Sequence, residues 1–205
     1  MKFLEFVDRY GKLGVIHTNE VLSFSSSPAV LRVQLSLWRK KGYLVALRKG
    51  VYLISSRFLP RSVPLFYISN ELVSPSYVSL ESALSYYGLI PETTHGIVAV
   101  TTRKTTKIKN KVGIFYYHHV KPSLFRDFVR IEMDGYRINI ALPEKALLDY
   151  FYLRNLKPEE LGGLRLQNLE TLDVRRLISL STLYPQRVKK LADRLKNEIT
   201  ASSGS

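Results

Sequence analysis

A chain of 205 residues, 45% of them hydrophobic, can bury one large core or two modest ones, which excludes disorder throughout. Its 31 Lys and Arg against 17 Asp and Glu give a net charge of +14, a balance that favours a polyanionic partner. Cysteine is absent, which removes disulfides, Cys-ligated zinc or iron–sulfur sites and thiol redox chemistry.

Glu5 and Asp8 interrupt the apolar region a signal peptide needs, and no later stretch approaches the run of roughly 18 apolar residues that spans a bilayer. The chain therefore reads as cytoplasmic, with no membrane partner. Charge is concentrated at the start. Residues 1–57 hold ten Lys and Arg against three acids, a balance of +7, and residues 55–64, rich in Ser, Arg and Pro, mark a junction. The expected organisation is a first domain over 1–57 and a second over 65–200.

Phe3, Leu4 and Val7 recur at helical spacing until Gly11 and Gly14 stop them, which predicts a first helix. Thr18 can cap a short second helix through Asn19-Glu20-Val21-Leu22, and a serine-rich turn follows over 23–27. Ser27-Pro28 opens a third helix with a hydroxyl at the cap and a ring that pre-sets the first helical φ. That helix runs to about Lys41, where Gly42 supplies a left-handed stop. Leu44-Val45-Ala46-Leu47 and Val51-Tyr52-Leu53-Ile54 then flank Arg48-Lys49-Gly50 as a β-hairpin with a basic tip.

In the third helix Leu31, Leu35 and Trp38 share one face, suited to packing on the first two helices. The opposite face carries Ala29, Val33, Ser36 and Lys40, flanked by Arg32 and Arg39. Small residues let a helix approach base edges in the major groove, and Arg reads guanine bidentately. The tip Arg48-Lys49-Gly50 suits the flanking phosphates, where cations release counterions. The order of elements predicts a winged helix-turn-helix that binds double-stranded DNA, with Ser27 at the helix start included in the contact set. The competing reading is that these cations only solvate an amphipathic helix, or that the module contacts proteins.

Further on, Tyr77 to Leu84 reads as an extended lead-in to an amphipathic helix ending at Gly88. Ile97-Val98-Ala99-Val100 and Gly113-Ile114-Phe115-Tyr116-Tyr117 look like paired strands around a loop over 101–111. That loop holds Arg103, Lys104, Lys107, Lys109 and Lys111 and no acid, so it is either a solvated loop or a second nucleic-acid contact. Asp134-Gly135 between two apolar runs is a strong hairpin signal. Pro143 opens a helix with Glu144 near its N-terminal dipole. Near the end Val188, Leu191, Leu195 and Ile199 form a core stripe opposite Arg187, Lys189, Lys190, Arg194 and Lys196, read as a solvated face, and residues 201–205 read as a frayed tail. The fold class is α+β: the winged module, then a mixed domain of β-hairpins and helices.

No catalytic constellation, metal set or cofactor motif assembles. His118 and His119 are neighbours on a strand and point to opposite faces, and His17 and His95 are isolated. Glu132, Asp134, Glu144 and Asp149 could in principle gather around Mg²⁺ as in a nuclease, but no spacing demands it.

Three segments carry a family resemblance: Gly42-Tyr43-Leu44 with Arg48-Lys49-Gly50-Val51-Tyr52, then Tyr77-Val78-Ser79-Leu80-Glu81-Ser82-Ala83-Leu84 with Gly88-Leu89, then Pro143-Glu144-Lys145-Ala146-Leu147-Leu148-Asp149. In order and spacing, over roughly residues 1–155, the chain resembles the AbiE-type antitoxins of type IV toxin–antitoxin systems. The resemblance implies a repressor that binds inverted repeats at its own promoter through its N-terminal domain, with Arg48, Lys49, Gly50 and Tyr52 carried over to the wing. It implies a second domain that supports cooperative binding and acts against a nucleotidyltransferase-like toxin without a tight complex. The expected function is a DNA-binding transcriptional repressor and antitoxin, not an enzyme. The alternatives are a Mg²⁺-dependent nuclease and an RNA- or protein-binding adaptor that uses residues 103–111.

Overall fold

The computed structural model describes residues 1–91 and 95–202; Ser203-Gly204-Ser205, part of the tail expected to fray, lie outside them. The fold is mixed α+β with a helical N-terminal part. Among the described residues no helix is long and apolar enough to cross a membrane.

The first region runs α1 (Phe3–Tyr10), β1 (Val15–His17), α2 (Thr18–Ser23), α3 (Pro28–Lys40), β2 (Leu44–Arg48) and β3 (Val51–Ile54). Its three strands form an antiparallel sheet in the order β1-β3-β2. The face of α3 expected to be core is core: Leu31, Leu35 and Trp38 are buried with Phe3, Phe6, Ile16, Leu44 and Ile54. Trp38 meets Phe3 and Phe6 at ring separations of 5.1 and 4.9 Å, and each buried aromatic or aliphatic side chain contributes about 1.5–3 kcal/mol. Gly42 has φ +70°, the left-handed conformation expected of the residue that ends α3.

Three local expectations are corrected. In α1 the inward residues are Phe3 and Phe6, while Leu4 is 67% exposed, because the helix turns its second aromatic rather than Leu4 to Trp38. Thr18 does not cap α2: it is the first helical residue and its hydroxyl has no partner, while its N–H donates to the Gly50 carbonyl at 2.8 Å. The Ser27 side chain makes no capping bond to α3; instead the Ser27 N–H donates to Ser25 Oγ at 3.2 Å. β1 went unread because three residues are too few to show alternation.

The second region comprises α4 (Leu65–Leu72), β4 (Ser76–Val78), α5 (Leu80–Tyr86), β5 (Ile97–Thr101), β6 (Thr106–Lys109), β7 (Ile114–His119), β8 (Phe128–Met133), β9 (Tyr136–Ala141), α6 (Pro143–Leu153), α7 (Val174–Ser181) and α8 (Gln186–Ser202). Six strands form one sheet in the order β6-β7-β5-β4-β9-β8. The Asp134-Gly135 turn between β8 and β9 has φ of +52° and +80°, the paired positive values of a two-residue hairpin turn that matches strand twist. β5 and β7 pair as expected, but in parallel, and the basic segment between them is not a simple loop: it forms edge strand β6, antiparallel to β7.

The two regions keep separate sheets and share a core. Val15, Leu47 and Val51 turn away from the helices and join the larger core built on Ile68, Leu72, Tyr77, Phe115 and Leu147, among others. The C-terminal helices close that core with Val188, Leu191, Leu195 and Ile199, the expected stripe. Arg187 is a correction. It is half-buried, not solvated, and donates to the Phe151, Tyr152 and Leu156 carbonyls at the end of α6. The Phe151 and Tyr152 carbonyls also accept the Leu156 and Asn155 N–H groups, and the guanidinium, with several donors in one plane, ties this helix end and the Leu156 carbonyl to α8.

Candidate nucleic-acid interface

Helical periodicity leaves Ala29, Arg32, Val33, Ser36, Arg39 and Lys40 of α3 exposed, together with Ser27 before it. Arg48 and Lys49 are exposed at the β2–β3 tip. None of Arg32, Arg39, Lys40, Arg48 and Lys49 makes an ion pair among the described residues. Five cations on one small module without carboxylate partners create a positive surface that solvent alone neutralises. Gln34, beside this face, is spent on the Met1 carbonyl at 2.8 Å.

The hairpin is held from two sides. Thr18 at the start of α2 donates its N–H to Gly50, and Asn110 Nδ2 donates to the Leu47 carbonyl at 3.1 Å. Asn110 is itself oriented by accepting from the N–H groups of Val112 and Gly113 at 2.8 and 3.2 Å. That local turn is legible in Asn110-Lys111-Val112-Gly113; its tie to Leu47 is not, since nothing in the sequence pairs positions 47 and 110. Tyr52 stands apart from the tip: it lies on the central strand β3, half-buried against the helical core.

Next to the tip, His17 Nε2 meets Glu71 Oε2 at 2.8 Å, an ion pair that links β1 to α4. His17, isolated in the sequence, is not isolated in space. The Glu71 hydrogen bond raises its pKa, against burial, which lowers it. His118 and His119 alternate along β7 as expected; burial, then the Arg154 charge, lowers the His118 pKa.

The second basic group is ordered as well. Arg103, Lys104, Lys107, Lys109 and Lys111 are all exposed. The segment is pinned where Arg103 N–H donates to Thr101 Oγ1 at 3.1 Å and His119 N–H donates to Thr105 Oγ1 at 3.1 Å. Lys107 lies over the Tyr116 ring at 5.1 Å.

The four carboxylates considered for Mg²⁺ are not brought together. Glu132 and Asp134 are exposed on the β8–β9 hairpin, whereas Glu144 and Asp149 are buried on α6. Among the described residues no group of three His, Asp or Glu could hold a metal. Glu144 Oε1 accepts the Asp173 N–H at 2.8 Å and its other oxygen lies 3.5 Å from Arg176, so it organises α7 as well as the start of its own helix.

Asp149 is the centre of a closed network. Tyr77 and Ser79 hydroxyls donate to Oδ2, each at 2.9 Å, Tyr184 donates to Oδ1 at 2.8 Å, and Lys145 pairs with the same carboxylate. Lys145 and Asp149 are 1% and 0% exposed. Burial, then the Asp149 charge, pushes both tyrosines far up, so they remain donors. With every oxygen occupied and no opening to solvent, this network is architecture. It joins the Tyr77–Ser79 and Lys145–Asp149 motif segments, and Tyr184 brings in the tail beyond residue 157.

No family model matches the chain, and no curated protein matches it.

Proposed function

We propose that residues 1–57 are a winged helix-turn-helix that binds double-stranded DNA, with α3 in the major groove and the β2–β3 tip on the flanking backbone. The observation that carries this reading is the unpaired cationic surface: Arg32, Arg39 and Lys40 around a face of small side chains, and Arg48 and Lys49 on a hairpin held against α2. Cations without protein partners displace DNA counterions at no cost in broken ion pairs. On this basis the chain acts as a transcriptional repressor. The resemblance supports the narrower reading of a cytoplasmic, autoregulating antitoxin that binds inverted repeats and opposes a nucleotidyltransferase-like toxin. The meeting of its two later motifs at Asp149 supports treating them as one structural unit.

The test is the salt dependence of binding to a mixed-sequence duplex. Arg48→Ala with Lys49→Ala is expected to flatten the slope of log K against log salt by about one to two units. An unchanged slope removes the tip from the interface, and retention of RNA with no duplex binding would favour the adaptor reading.

A second reading has its own observation. Phe24 and Val30 are 77% and 57% exposed beside Met1, lining one cleft with Glu5 and Arg9. An apolar patch of this kind suits a protein partner, and it lies on the α1 flank of α3, leaving the Arg32 flank for DNA.

A further inference from the structure

We infer that the second domain extends the DNA-binding surface, its β5–β6 segment continuing the phosphate track that begins at the hairpin tip. This inference rests on the proposed DNA reading and deepens it: the partner is the same duplex, contacted beyond the winged module.

Three observations carry it. First, Arg48 of the tip and Arg103 and Lys104 of the second domain line one open cleft of about 570 Å³, so cations 55 positions apart in sequence face the same space. Secondly, the two segments are tied: Asn110, one residue past β6, holds the Leu47 carbonyl next to Arg48, and the Thr101 and Thr105 hydroxyls fix the backbone around Arg103. Cations held on a fixed backbone lose less conformational freedom on binding than cations on a mobile loop. Thirdly, the acids of the cleft are Glu20 and Glu71, and Glu71 is occupied by His17, which leaves three cations facing one free carboxylate.

Edge-strand lysines also have a simpler use, since Lys on an exposed edge discourages pairing with another chain. That accounts for Lys107 and Lys109 on β6. It does not account for Arg103 and Lys104, which precede the strand and face the hairpin tip. A duplex backbone lying along the tip meets these side chains next, and each phosphate they neutralise steepens the salt dependence by about 0.9.

The experiment measures the affinity of the full chain for a labelled mixed-sequence duplex of about three helical turns across a salt series. Arg103→Ala with Lys104→Ala is expected to flatten the log–log slope by about one to two units, as much as the Arg48→Ala/Lys49→Ala pair does. Lys190→Ala with Lys196→Ala removes the same charge from exposed positions on α8 and is expected to leave the slope unchanged. All the altered side chains are exposed, and an unchanged melting temperature verifies that the variants are folded. If the Arg103/Lys104 pair leaves the slope at the wild-type value while the tip pair flattens it, the extension is wrong and the winged module stands alone. If the α8 pair flattens it equally, net charge explains the effect and the extension is again wrong. If the wild type binds no duplex, the extension and the reading it rests on fall together.

Discussion

α3 and α6 open alike, each with a proline at the start, and each carries charged residues in its sequence. α3 buries only Leu31, Leu35 and Trp38 and holds Arg32, Arg39 and Lys40 in solvent without ion pairs. α6 is buried nearly all round and draws Glu144, Lys145 and Asp149 inside, where hydrogen bonds and ion pairs take them up. The contrast separates two uses of charge. A buried charge must be paired because desolvation is costly, so its partners belong to the fold; an exposed, unpaired cation is free for another molecule.

The largest expected effect tests the buried half. Asp149→Ala leaves Lys145 in the core without its carboxylate and removes the acceptor of three hydroxyls, at a cost of about 3–5 kcal/mol, read by urea unfolding. A loss under about 0.5 kcal/mol, the range of surface substitutions, would show that the network is not what holds α6. Arg187→Ala comes next. It strips donors from the carbonyls at the end of α6, an expected loss of about 1.5–3 kcal/mol, and a change confined to the fraying of α8 would reassign Arg187 to its own helix.

A smaller effect lies at the joint between the regions. The His17 pKa is raised by Glu71, so the folded state binds the proton more tightly than the unfolded chain. The stability this contributes is complete below 6.5, the ordinary histidine value, and is lost as pH rises through the raised folded value. The wild type should therefore exceed His17→Gln by at most about 1 kcal/mol in acid, with the gap closing towards alkaline pH in paired denaturation curves. A gap that widens with pH would reverse the assignment.

Periodicity and punctuation made much of this fold readable. Ser27-Pro28, Gly42, Asp134-Gly135 and Pro143 each act through local backbone geometry, and each stands at the boundary expected of it. α4 was missed because Pro64 precedes it without a capping side chain and its apolar residues follow a Pro-rich stretch read as a junction. The misreadings of Thr18, Arg187 and the 101–111 segment share one cause: their partners, Gly50, the carbonyls at the end of α6 and strand β7, lie elsewhere in the chain. For the interface, the identity of the exposed α3 residues was legible, because amphipathic spacing fixes a helix face. The joining of Arg48 to Arg103 and Lys104 was not, because it depends on how the small sheet docks on the larger core.

The exposed half of the contrast, and with it the DNA reading, is tested most directly on α3. Ser36 is exposed at the centre of the proposed recognition face, and Ser36→Glu sets a negative charge there in a helix-compatible side chain. Titrated with DNA taken from upstream of its own reading frame, the wild type should protect a discrete segment, and folded Ser36→Glu should protect none. A wild type that leaves that DNA and every other duplex unprotected, or a Ser36→Glu variant whose protection matches it, would contradict the account.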